Sequence, residues 1–211
     1  IASDDVLVIV MPVNDAPEFV EIGPQETDED VSLTITLLAI DPDEGDELTF
    51  SAVSDSIGVG VSVIDNQLTM TPVLNFNGIV TITVTVTDNG NLSSETSFVL
   101  TVIPVNDAPT ITLPESFTFA EDDSLVEDFS AYIGDIDEDS LMLTVSGNID
   151  ITVLIENYTV TFSTDLNWNG EETLTFMVND AEGREIASDD VLVIVMPVND
   201  APEFVEIGPQ E

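Results

Sequence analysis

Cysteine, histidine and lysine are all missing from this chain, and Arg184 is its only basic residue. Without cysteine no disulfide reinforces the fold, and without lysine no Lys–Asn isopeptide bond can stiffen it. With histidine gone as well, the one catalytic device left is a carboxylate pair of the glycosidase type, which nothing in the sequence arranges, so no enzyme is expected. The lack of positive charge removes the electrostatic basis for binding nucleic acid or anionic lipid heads. The longest apolar stretch, Val191 to Met196 with Val198 beyond Pro197, falls far short of the roughly 20 residues that span a bilayer. No membrane insertion is expected here, and an export signal or anchor is expected outside this stretch.

Acid is what the chain has in abundance. Its 211 residues carry 43 Asp and Glu, for a net charge of −42. Two carboxylates 4 Å apart repel by about 1 kcal/mol in water and about 4 kcal/mol near a protein surface, and the chain has no cations of its own to offset this. Divalent cations are the natural partners, and calcium, a hard ion taking six to eight oxygens, suits carboxylates best. The charge does not imply disorder, because 43% of the residues are apolar and fall in strand-like blocks.

Self-similarity organises the rest. Pro-Val-Asn-Asp-Ala-Pro occurs at 12–17, 104–109 and 197–202, at spacings of 92 and 93. Leu74-Asn75-Phe76-Asn77-Gly78 and Leu166-Asn167-Trp168-Asn169-Gly170 keep the same offset, and residues 1–26 are identical to 186–211. The boundaries expected are the last strand of one repeat (1–11), two whole repeats (12–103 and 104–196) and the first strand of another (197–211). Within each repeat apolar residues alternate with polar ones: Val31, Leu33, Ile35, Leu37; Val80, Ile82, Val84, Val86; Phe98, Leu100, Val102; Leu174, Phe176, Val178. Helical spacing is absent. About seven such strands, separated by Gly, Asn and Asp turns, predict an all-β fold of tandem Greek-key β-sandwiches, with Phe76 and Trp168 as core aromatics.

Acids cluster at equivalent places in both repeats. Thr27-Asp28-Glu29-Asp30, Asp41-Pro42-Asp43-Glu44-Gly45-Asp46 and Asp88-Asn89-Gly90 in the first are matched by Glu121-Asp122-Asp123, Asp135-Ile136-Asp137-Glu138-Asp139 and Asp180-Ala181-Glu182-Gly183 in the second. An Asp-x-Asp turn puts two carboxylates on one side of the backbone, as a cation-binding loop requires. For acids outside the clusters, such as Asp55 or Glu95, the plainer reading is solubility. Asp41-x-Asp43 is not an EF-hand, because Gly45 arrives one position early and no helices flank it.

The Asn-Asp-Ala-Pro linkers, Ala-Ile-Asp-Pro-Asp-Glu-Gly-Asp-Glu-Leu-Thr-Phe and Val-Thr-Asp-Asn-Gly resemble cadherin repeats, most closely the cadherin-like arrays of bacterial giant surface adhesins. The resemblance implies calcium between successive repeats. At 104–109 the ligands implied are Glu29, Asn106, Asp107, Asp135, Asp137 and Asp180. At 12–17 they are Asn14, Asp15, Asp41, Asp43 and Asp88. At 197–202 they are Glu121, Asn199 and Asp200, the rest belonging to a following repeat. The linker lacks the second Asn of the vertebrate pattern, and the mid-domain Asp-Arg-Glu motif is replaced near Thr71-Pro72-Val73-Leu74, which implies fewer ions than in vertebrate repeats.

The function implied is an extracellular, calcium-stiffened stalk for cell adhesion, its partners being calcium, neighbouring repeats and a surface or matrix ligand bound elsewhere in the parent. A second reading is a self-assembling fibre or sheath built by repeat–repeat or donor-strand contacts. A third, carbohydrate binding, needs an exposed aromatic platform, for which Trp168, Tyr132 and Tyr158 are scarce material. Asn91-Leu92-Ser93 and Asn157-Tyr158-Thr159 match the glycosylation sequon, and Arg184 reads as a solvated turn residue.

Overall fold

Alternating Val/Ile and Thr residues, punctuated by Asn, Asp and Gly, leave strands as the only element that buries one face and wets the other. The computed structural model describes residues 7, 9–11, 13–180 and 186–202. Expectations for the tail at 1–11 and for 203–211 fall wholly or largely outside them, as does that for Arg184. The chain divides into two compact units, with the division between Val105 and Asn106.

The first unit runs β1 (Glu18–Phe19), β2 (Gln25–Asp28), β3 (Leu33–Thr36), β4 (Ala39–Ile40), β5 (Thr49–Ser54), β6 (Val59–Ile64), β7 (Gln67–Pro72), β8 (Gly78–Thr87) and β9 (Ser93–Ile103). One sheet has the order β2-β9-β8-β5 and the facing one β3-β7-β6, with β1 paired to β4 at the edge. Two pairs of segments, β1 with β2 and β3 with β4, each stand for one interrupted strand, which recovers the seven expected. β2 lies parallel to β9, so residues just after β2 sit at the end where β9 leaves the unit.

The second unit repeats this segment for segment: β10 (Thr110–Ile111), β11 (Ser116–Ala120), β12 (Ser124–Asp128), β13 (Ile133–Gly134), β14 (Met142–Ser146), β15 (Ile151–Glu156), β16 (Thr159–Thr164), β17 (Gly170–Asn179) and β18 (Ile186–Met196). Its sheets are β11-β18-β17-β14 and β12-β16-β15, with β10 on β13. One departure from the strand-only expectation is a 3-10 turn at Phe129–Ala131, where Asp128 caps the Ser130 amide. Its bonds to the Ser130 hydroxyl and amide hold the Asp128 carboxyl below the usual carboxylate range. A second departure is Val31, which is 52% exposed in the turn before β3, while Leu37 at the other end of that alternation is fully buried.

The two cores exchange their aromatic residues. Leu37, Met70 and Val84 in the first unit correspond to Phe129, Phe162 and Phe176 in the second, and all six are fully buried. Phe19, Phe50 and Phe98 in turn correspond to Ile111, Leu143 and Val191. The second core adds Phe117 and Phe119 where the first unit has Gln25 and Thr27, so its interior is the more aromatic of the two while the strand order is the same. Phe76 and Trp168 are half-buried and pack against their cores, as expected of core aromatics. The Phe76 ring lies where a Cβ on Gly58 would stand, 2.2 Å away at its nearest atom.

Candidate functional site

Strand direction alone places the acid clusters. β3–β4 and β8 run toward the end where the preceding linker enters, so the loops after them, carrying Asp41 to Asp46 and Asp88, meet at that end with Asn14 and Asp15. The equivalent loops of the second unit bring Asp135 to Asp139 and Asp180 to Asn106 and Asp107.

The two entrance ends match bond for bond. The Asn14 amide donates to Asp88 Oδ2 at 2.8 Å, and the Asn106 amide to Asp180 Oδ2 at 2.9 Å. The backbone N–H of Asp15 donates to Asp43 Oδ2 at 2.7 Å, and that of Asp107 to Asp137 Oδ2 at 2.7 Å. Asp43 N–H closes an Asx turn on Asp41 Oδ1 at 2.8 Å, as Asp137 N–H does on Asp135 Oδ1. Asp88 and Asp180 are 4% and 1% exposed. The linker's Asn-Asp is therefore latched onto its own repeat by acids.

After these bonds oxygens remain. Asp41 Oδ2, Asp46 Oδ2 and Asp135 Oδ2 are buried without a hydrogen-bond partner. Carboxylate oxygens of Asp41, Asp46 and Asp88 lie within 4.8 Å of one another, and so do those of Asp135, Asp137 and Asp139. At that separation each pair of charges repels by about 1 kcal/mol in water and by 3–4 kcal/mol at an effective dielectric of 20. No basic side chain exists among the described residues to relieve this. An all-oxygen donor set with surplus negative charge fits a hard divalent cation.

Asp46 and Asp139 join these groups although the sequence reading did not name them as ligands. Asp43 stands outside the first group, whereas its counterpart Asp137, which makes the same bond to the linker, belongs to the second. Asp15 contributes a backbone donor to this end through its N–H. Asn199 repeats the local arrangement of Asn106: each side-chain amide donates to the carbonyl of the following Asp200 or Asp107, at 3.2 and 3.1 Å.

At the opposite end of each repeat sits a buried glutamate. Glu29 is 4% exposed; its Oε1 accepts the Val105 amide at 2.6 Å and its Oε2 the Asn77 side chain at 3.3 Å. Glu121, 5% exposed, takes the Val198 amide at 2.6 Å and the Asn169 side chain at 2.8 Å. The Leu-Asn-aromatic-Asn-Gly motif thus has a purpose beyond marking the repeat, since its second Asn steadies this glutamate. The first Asn, in the left-handed region at φ 57° or 58°, donates its backbone N–H to Asp30 or Asp122. Replacing Glu29 with Ala would strand the Val105 amide and the Asn77 side chain. We expect a loss of about 1–3 kcal/mol, measurable as a lower denaturant midpoint of the first repeat at unchanged slope.

The scarce aromatics are used inside. No aromatic side chain among the described residues is exposed, and Tyr158 spends its hydroxyl on the Leu141 carbonyl at 3.1 Å. Among those residues no helix is long and apolar enough to cross a membrane.

Residues 13–103 match the family described as a cadherin-like domain, and residues 106–195 match the bacterial Ig domain family. Among solved structures the chain is similar to human mucin-like protocadherin EC1-2, at 19% identity and a TM-score of 0.53, covering 86% of this chain and 98% of that one. It resembles PcdhgB3 EC1-4 at 18% identity and a TM-score of 0.59, covering 87% of this chain and 50% of the other. An endo-fucoidan hydrolase of glycoside hydrolase family 107 aligns at 20% identity and a TM-score of 0.37, over 87% of this chain but only 29% of that enzyme. These likenesses concern the fold, and this chain spans half or less of the last two structures. No curated protein matches the sequence. Two family descriptions fall on two sandwiches of one strand order, and the chain is accordingly built of tandem cadherin-like and bacterial immunoglobulin-like β-sandwich repeats.

Proposed function

We propose that this chain is a segment of a calcium-stiffened extracellular stalk in a large surface protein that serves adhesion. The observation carrying the reading is the duplicated entrance end: an Asn-Asp linker latched by Asp43 and Asp88, or by Asp137 and Asp180, beside Asp41, Asp46 and Asp135, which keep buried oxygens without a hydrogen-bond partner. Asp41, Asp46 and Asp88 would hold the ion in the first repeat, and Asp135, Asp137 and Asp139 in the second. Glu29 and Glu121 enter as the ligands that a preceding repeat supplies to the next linker, on the sequence pattern alone. A bound cation would fix the linker's direction by neutralising the acids that grip it. The boundaries 12–103 and 104–196, with the end segments as strands of neighbouring repeats, belong to the same proposal, as does location outside the cell.

Thermal unfolding by circular dichroism of the whole chain in EDTA, then with calcium, magnesium or sodium chloride at matched ionic strength, tests it. Calcium at one hundred times its dissociation constant contributes about 2.7 kcal/mol per site, which raises the midpoint of a repeat this size by roughly 10 °C or more. Equal stabilisation by all three salts would make the acids general charge and remove the sites.

A further inference from the structure

The chain contains three Asn-Gly pairs, Asn77-Gly78, Asn89-Gly90 and Asn169-Gly170, and their surroundings differ. Asn77 and Asn169 open β8 and β17, and their side-chain amides are bound to the buried Glu29 and Glu121. Asn89 is exposed at the second position of the turn between β8 and β9, closed by the Asn91 amide on the Asp88 carbonyl at 3.3 Å. Gly90 follows at the third position, where a turn leaves the N–H unbonded. Its α-carbon must stay bare, because a Cβ there would lie 2.5 Å from Asn14 Oδ1.

We infer that Asn89 is a site of spontaneous deamidation, selected by the fold over Asn77 and Asn169. The Gly90 amide nitrogen attacks Asn89 Cγ and closes a five-membered succinimide. The carboxamide nitrogen leaves as ammonia, taking up through water the proton that the Gly90 nitrogen gives away. Water then opens the ring at either carbonyl, to aspartate or isoaspartate; the net change is water in and ammonia out, with no oxidation. Ring closure needs a side chain free to turn and an amide nitrogen free to attack. At Asn77 and Asn169 the side chain is tied to a buried carboxylate, which slows closure by about tenfold or more.

The product alters the entrance end of the first repeat. Each event adds a negative charge beside Asp88, and isoaspartate inserts an extra backbone atom into the turn that Asp88 closes. The bonds of Asp88 to the Leu92 amide, at 2.9 Å, and to Asn14 then lose their geometry. The linker latch of this repeat ages, whereas the second has Ala181 at the corresponding position.

The test incubates the chain at mildly alkaline pH, folded and in denaturant, and follows chymotryptic peptides by tandem mass spectrometry, whose fragment ions separate Asn77 from Asn89 on the shared peptide 77–92, with isoaspartyl methyltransferase labelling to mark isoaspartate. In the folded chain Asn89 should convert about tenfold faster than Asn77 and Asn169, with isoaspartate among its products, and the three rates should converge in denaturant. Asn89→Gln should remove the fast product and leave the melting midpoint of the fresh protein unchanged. Equal rates at the three sites in the folded chain would overturn the inference. So would an Asn89 advantage that persists in denaturant, or a product free of isoaspartate.

Discussion

Phe176→Ala is expected to destabilise the second repeat by about 3–5 kcal/mol and lower its midpoint by roughly 12 °C or more, with the first repeat unmoved. Phe176 is fully buried and lies 4.7 Å from the Phe129 ring centroid and 6.2 Å from that of Phe162. Truncation removes a fully buried member of that cluster and leaves a cavity that rigid sheets on both sides cannot close. The measurement is unusually clean here, because Trp168 and both tyrosines, Tyr132 and Tyr158, belong to the second unit. Intrinsic fluorescence therefore reports that repeat alone, while circular dichroism sees both. The fluorescence transition should move and a second dichroism transition should stay. A common shift of both would show that the repeats unfold as one body. Val84→Ala, at the corresponding site of the first repeat, should cost less, since fewer atoms are lost from a core that holds its phenylalanines elsewhere.

That asymmetry also shows where sequence reasoning stops. Strand alternation in Val80 to Val86 or Leu174 to Val178 follows from a period of two and survives any choice of apolar residue, so the sandwich was legible before the fold was known. The exchange of phenylalanines was not, because it is a property of two packed interiors compared position by position. Asp41, Asp43, Asp135 and Asp137 stood out because an Asp-x-Asp turn is local. Asp46 and Asp139 did not, since they follow Asp41 and Asp135 by five and four residues and so break the repeat offset. The bond from Asn77 to Glu29 spans 48 residues and depends on β2 lying parallel to β9, which no local pattern encodes. Val31 read as one more apolar position of an alternation but stands in a turn that the strand has not yet entered.

The sharpest separation of site from mere surface charge lies in Asp46→Asn, whose effect should change sign with the metal. Without metal, Asp46 keeps a buried oxygen that bonds to nothing, within 4.8 Å of oxygens on Asp41 and Asp88. Removing its charge relieves two repulsions of about 1 kcal/mol or more each and leaves the shape intact, so the first repeat should melt several degrees higher in EDTA. With calcium the same change removes a ligand, and a hundredfold loss of affinity costs about 2.7 kcal/mol at saturating ion, more than the roughly 2 kcal/mol gained from the relieved repulsions, so the variant should melt below the parent. The crossing point marks the calcium concentration at which attraction to the ion overtakes repulsion among the acids. Glu95→Gln, a neutralisation on the outer face of β9, supplies the contrast, because an isolated exposed charge should shift both curves together by little. If Asp46→Asn behaved like Glu95→Gln in EDTA and in calcium, the crowded acids would be spaced for solubility, and the entrance end would hold its linker by hydrogen bonds alone.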